Sequence, residues 1–167
     1  MINMLWSEGN KVVNAVIPVA DAFATAVSTD VVDMADYKRC TFIVATGATS
    51  TANGIITVLA GVSNASCTTA IIFKYRTQIA AVPPAAGSDV PSALTAAAVT
   101  GFSMTASKAG GLYIIEVDVR EVAAAGTNFD HVKLTVTEVT DAPQTACIIA
   151  ILSQPRYPQG VLKTAIG

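Results

Sequence analysis

Leu112-Tyr113-Ile114-Ile115-Glu116-Val117-Asp118-Val119 alternates with the period of a β-strand. Tyr113, Ile115, Val117 and Val119 fall on one face. Leu112, Ile114, Glu116 and Asp118 fall on the other, which turns polar toward its end. Downstream, Val132, Leu134 and Val136 point one way while His131, Lys133, Thr135 and Thr137 point the other. Upstream, Ile71, Phe73 and Tyr75 oppose Ile72, Lys74 and Arg76. One apolar face and one wetter face is the pattern of half-buried antiparallel strands.

Working outward from these segments, short runs rich in Val, Ile, Thr, Phe and Tyr predict strands near 11–17, 30–34, 39–46, 54–61, 70–78, 100–106, 111–119, 131–139 and 146–153. Each is bounded by Gly, Pro, Asn, Asp or Ser. Cys147–Leu152 is apolar without alternation, which predicts a central strand or one covered on both faces. The expected fold is all-β: one antiparallel β-sandwich, with the jelly roll among its forms, carrying extended N- and C-terminal arms. Its expected core is Val13, Phe42, Val44, Ile56, Val58, Phe73, Tyr75, Tyr113, Ile115, Val117, Val132, Leu134, Val136, Ile149 and Ile151.

The connections carry their own signals. Arg120–Ala125 fits one helical turn, with Gly126 in the left-handed conformation that stops it. Ile79–Ala98 is long and holds Pro83, Pro84 and Pro91 among many alanines. Pro83-Pro84 rules out a central strand, and Pro91 is placed to open a short helix through Ala98. This stretch reads as a contact arm or as a plain surface crossover. The chain divides into an N-terminal arm (residues 1–10), a sandwich domain (11–153) and a C-terminal arm (154–167). Trp6, Tyr157 and Leu162 lie outside every periodic segment, and with Pro83 and Pro84 they are the candidate protein-interface residues.

Composition bounds the function. The chain has 167 residues, enough for one domain with a core of its own. Only 13% of them are charged, about half of the ~25% usual in globular domains. Mean hydropathy is +0.54 and 52% of residues are apolar. Alanine contributes to both values. The other reading is a surface buried against partner subunits, where charge is depleted. No run approaches the ~20 apolar residues of a spanning helix. The first ten residues lack a basic region followed by an apolar one, so the expected site of synthesis is a cytoplasm. Lys38-Arg39 and Lys74/Arg76 are the densest basic spots, which is no footprint for nucleic acid.

Chemistry is sparse. Cys40, Cys67 and Cys147 are odd in number and form no C-x-x-C, so they read as free thiols. His131 is the only histidine. Asp130 beside it is expected to point to the opposite face of the strand and so not to orient it. Asp30, Asp33 and Asp36 are spaced for one side of a turn but lack a calcium-loop pattern. Glu116 and Asp118 share a strand face, yet aromatic content of 6% argues against a sugar-stacking cleft. No phosphate-cradling or dinucleotide fingerprint occurs. The expectation is a non-enzymatic chain with no catalytic, cofactor or metal residues.

Several segments in order resemble the small β-rich structural proteins of tailed-bacteriophage virion gene modules. They are Ile17-Pro18-Val19-Ala20-Asp21-Ala22-Phe23, then Asp30-Val31-Val32-Asp33-Met34 with Tyr37-Lys38-Arg39-Cys40-Thr41-Phe42-Ile43-Val44, then Phe73-Lys74-Tyr75-Arg76, then Leu112–Asp118, then Leu152-Ser153-Gln154-Pro155-Arg156-Tyr157. The likeness spans nearly the whole chain in order and texture and contains no diagnostic motif. It implies a capsid decoration or cement subunit of the virion, made in the host cytoplasm. Its partners would be the major capsid protein or other virion subunits and copies of itself, with no nucleic acid and no membrane. A tail or head–tail component, or a sandwich module binding carbohydrate or host surface, are the alternatives.

Overall fold

The structure is a computed structural model that describes residues 5–47, 53–79, 89–104, 110–140, 143–156 and 164–166. Of these, 59% are strand and 11% helix, which bears out the all-β expectation. Among the described residues twelve strands form two antiparallel sheets.

The first sheet has the order β1-β12-β4-β10-β7-β8. Its strands are β1 (Asn10–Val19), β12 (Ala146–Pro155), β4 (Tyr37–Thr46), β10 (Gly111–Asp118), β7 (Phe73–Ile79) and β8 (Thr95–Ala97). The second has the order β2-β11-β5-β6, with β3 also on β11 and β9 also on β5. It is built from β2 (Ala26–Ser28), β3 (Val32–Asp33), β11 (His131–Thr140), β5 (Asn53–Gly61), β6 (Thr69–Ile71) and β9 (Phe102–Ser103). Thr29 bridges the gap between β2 and β3. Its amide donates to the Leu134 carbonyl at 2.9 Å, and its hydroxyl accepts from the Leu134 amide at 3.1 Å.

The alternation read in the sequence decides what is inside. Phe42 and Val44 of β4, Tyr113, Ile115 and Val117 of β10, Ile56 and Val58 of β5, and Val132, Leu134 and Val136 of β11 are all buried in one core cluster fed by both sheets. Phe102 stacks on Tyr75 at 3.8 Å between ring centroids and meets Phe73 and Tyr113 at 6.1 Å. This aromatic group ties β9 of one sheet to β7 and β10 of the other.

Several expectations are corrected. Ile149 and Ile151 are not core residues: Ala146, Ile148, Ala150 and Leu152 face inward, and Ile149 and Ile151 are half-buried on the outer side. Tyr75 is likewise only partly buried, packed against the core's margin. No helix follows Pro91. Residues 95–97 pair with β7 as an edge strand, Phe73↔Ala97 through Tyr75↔Thr95. The turn from β8 to β9 places Gly101 at φ +81°, where a Cβ would meet the Ile56 carbonyl oxygen at 2.1 Å, so only glycine fits. The helical turn after β10 does form, as α2 (Val119–Ala125), but Gly126 is extended at φ −179°. Gly126 serves packing instead, since a Cβ there would strike the Phe129 ring at 2.6 Å. The left-handed residue of this connection is Asn128 at φ 62°.

The ends of the chain are anchored differently. Trp6–Gly9 forms the short helix α1 beside β1 and β12. Trp6 is 59% exposed. At the other end Ala165 is buried in the core, and its carbonyl accepts from the Asp33 amide at 2.9 Å. Residues 164–166 thus return to the domain's own second sheet. Tyr157, Leu162, Pro83 and Pro84 lie outside the described residues. Edge strand β1 breaks register between Asn14 and Val16 and again between Val16 and Val19, and it carries Pro18 near its end.

Candidate protein interface

In a sheet, residues paired across neighbouring strands share a face. On the outer face of β12, β4 and β10, the pairing aligns three rows. Cys147, Ala45 and Leu112 form one, flanked by Gln78. Ile149, Ile43 and Ile114 form the next, flanked by Asn14 and Arg76. Val12 and Ile151 begin the third, which turns polar at Thr41, Glu116 and Lys74. The residues of the first two rows on these three strands are apolar. They are half-buried. Among the described residues no strand or helix packs over this face. An outward sheet face is usually polar, so an apolar centre with a polar rim has the anatomy of a contact surface. Val12 is exposed on β1 toward its α1 end, and Ile17 is exposed near the strand's far end.

The fourth row is Ser153, Arg39 and Asp118, and there the face becomes charged. A cavity of about 480 Å³ opens at this end, lined by Lys38, Arg39, Asp118, Val119, Arg120, Gln154 and Arg156. Three separate elements supply its cations: the start of β4, the first turn of α2 and the segment after β12. The sequence reading found no basic cluster because these residues are scattered along the chain. Gln154 sits at φ 55°, an uncommon conformation for a residue with a side chain, and the β12–β4 ladder skips its pairing with Lys38.

Asp118 holds this end together. Its carboxylate accepts from the Arg120 amide at 2.9 Å, capping α2, while Glu121 accepts from the Asp118 amide at 3.0 Å. Arg120 also grips it with two side-chain bonds of 3.0 Å. The Arg120 hydrogen bonds, chiefly, hold the Asp118 carboxyl down to about 2, with Arg39 adding a smaller pull. A depressed carboxylate stabilises the fold above its unfolded range and loses that contribution as pH falls through its folded value. Asp118→Ala should therefore cost about 1 kcal/mol at neutral pH, the usual worth of an N-cap. The difference from wild type in urea unfolding should shrink as pH falls from about 4 to about 2. A gap of constant size over that range would contradict the assignment.

The other candidate residues divide. Glu116 and Asp118 do share the outer face, each 4.0 Å from Arg39. Asp33 gathers not with Asp30 and Asp36 but with Asp130 and His131, their ligand atoms lying within 4.8 Å of one another. Asp130 does orient His131, contrary to expectation: its carboxylate meets Nδ1 at 2.5 Å. Asp130 precedes the strand, so strand alternation does not constrain it. Cys40 and Cys67 are buried and Cys147 is half-buried on the outer face. Burial raises the Cys40 thiol far above its ordinary range and pushes Cys67 up to about 11. No helix among the described residues is long and apolar enough to cross a membrane. No protein-family model matches the chain, and no curated protein matches it.

Proposed function

We propose that this chain is a non-enzymatic structural subunit of a virion, a decoration or cement protein that docks on the phage head through the outer face of β12, β4 and β10. The observation that carries the reading is the apolar centre of that face, Ile149–Ile43–Ile114 with Cys147, Ala45 and Leu112 beside it. Among the described residues no strand or helix covers this surface, and a shell subunit is the occupant that the chain's resemblance to phage structural proteins indicates. A cement subunit acts by linkage: it binds the assembled shell in preference to dispersed subunits and so stabilises the shell by mass action.

The strand order supports a jelly-roll sandwich. With β2 and β3 counted as one interrupted strand, the first strand neighbours the last, β1 beside β12, and each sheet interleaves early strands with late ones. The sheets β1-β12-β4-β10 and β2/β3-β11-β5-β6 then make the two halves, with β7 and β8 extending the first. This double-sheet arrangement recurs in viral capsid domains.

Cys147 provides the test without any mutation. In the isolated subunit a water-soluble alkylating agent should modify Cys147, while Cys40 and Cys67 react only on unfolding. In purified virions Cys147 should be protected, and mass spectrometry should count the chain in hundreds of copies per particle. A handful of copies would place it in the tail or head–tail junction. Its absence from particles, or equal labelling of Cys147 in both states, would sink the proposal.

A further inference from the structure

We propose that the cavity at the Arg39 end of the sheet binds a phosphate or sulfate ester through Lys38, Arg39 and Arg156, arranged around the fixed Arg120–Asp118 pair. Four cationic residues and one carboxylate residue line the cavity. That carboxylate is already committed to the α2 cap and to the Arg120 guanidinium. Arg39 lies 4.0 Å from this carboxylate and equally far from Glu116, and the ion pairs among the described residues include neither Lys38 nor Arg156. Lys38 and Arg156 therefore bring donors to spare, and Arg39, held by Asp118 and Glu116 only at 4.0 Å, adds a third cationic residue to the same cavity.

The demand is for a multiply charged acceptor. A phosphate monoester carries about −1.5 to −2 charge and three strong acceptor oxygens, and arginine forks match such oxygens two at a time. A single carboxylate would leave part of this donor set unused. The volume, about 480 Å³, falls within the range of small-ligand sites and exceeds what a bare oxyanion fills. Val119 offers an apolar wall for the ester's organic part. The left-handed Gln154 also lines the cavity and precedes Arg156 by two residues. Backbone departures of this kind cluster at ligand sites.

The test uses the purified full chain and does not depend on any shell, so its failure and that of the docking proposal are separable. Amide NMR spectra are recorded during titration with glycerol 3-phosphate, pyrophosphate and, as a dicarboxylate control, glutarate. The two phosphates should give saturable shifts confined to residues near 38–39, 118–120 and 154–156, with millimolar or tighter half-saturation. The affinity should drop steeply when salt is raised from about 0.02 M to 0.5 M. The Lys38→Glu/Arg156→Glu double variant should weaken binding at least tenfold while its melting stays near wild type. Lys38→Gln/Arg156→Gln, a milder change, should give the same direction if charge reversal impairs folding. Lys133→Glu, on the other sheet, should change nothing. Absence of saturation, or shifts spread over all surface cations, overturns the site. Glutarate binding as tightly as the phosphates also overturns it, and would assign the cavity to acidic side chains of a protein partner instead.

Discussion

Phe42→Ala is expected to lower the unfolding free energy by about 3–5 kcal/mol, the range for a fully buried phenylalanine truncated in a packed core. Phe42 is fully buried on β4, between β12 and β10, opposite Ala150 on one side and Ile115 on the other. Its neighbours hang on hydrogen-bonded backbone along both edges, so the void has little freedom to collapse. Domains hold only about 5–15 kcal/mol in total, and at this size each kcal/mol moves the melting temperature by about 2–4 °C. A fall of about 6–20 °C is therefore expected. Ile149→Ala, one strand away but on the outer face, should cost less than half as much. If Ile149→Ala proves the more damaging of the two, the inner and outer faces of β12 have been assigned the wrong way round.

The second large effect concerns association rather than stability. Ile43 and Ile149 are directly paired across β4 and β12 at the centre of the outer apolar face. Lysine at either position can bend its ammonium into water in the free subunit, because a long stem lies along apolar surface while the charge stays hydrated. Against a docked partner both ammonium groups would be buried without counter-ions. Central anchors are commonly worth 2 kcal/mol or more each, so the Ile43→Lys/Ile149→Lys variant should bind shells at least 100-fold more weakly. Its melting should stay within a few degrees of wild type. Binding assays on stripped particles read the first quantity and thermal unfolding reads the second. A variant that still decorates particles at wild-type copy number would move the contact surface away from this face.

Those two experiments lean on different parts of what the sequence reveals. Strands β10 and β11 were legible because each mixes apolar residues with Glu, Lys or Thr, so alternation names the inner face. Cys147–Leu152 contains no polar residue. Its central position could be inferred, but nothing in it says whether Ile148 or Ile149 faces inward. The structure resolves this by size: the small Ala146 and Ala150 alternate with Ile148 and Leu152 inside, which leaves the isoleucines of the other parity outside. Residues 91–98 depart from the helix expected after Pro91 for a related reason. Alanine favours helix in isolation, but pairing to β7 offers hydrogen bonds that a short helix there would not match. The basic cavity was invisible in principle. Lys38 and Arg39, Arg120 and Arg156 come together only once β4, α2 and β12 have met, and no local pattern encodes that meeting.

Strand β1 closes one side of a sheet whose outer face is apolar, and that combination ordinarily invites fibrils. An unpaired, flat, uncharged edge would let one molecule add its strand to the next without limit. Here the two register breaks and Pro18 leave no long straight run of free backbone donors and acceptors. Strand addition at the β1 edge is thereby impeded, while among the described residues no element covers the broad side of the sheet. Under the proposed docking, association would run through the broad apolar face and not through the strand edge at β1, a geometry that limits itself once that face is covered.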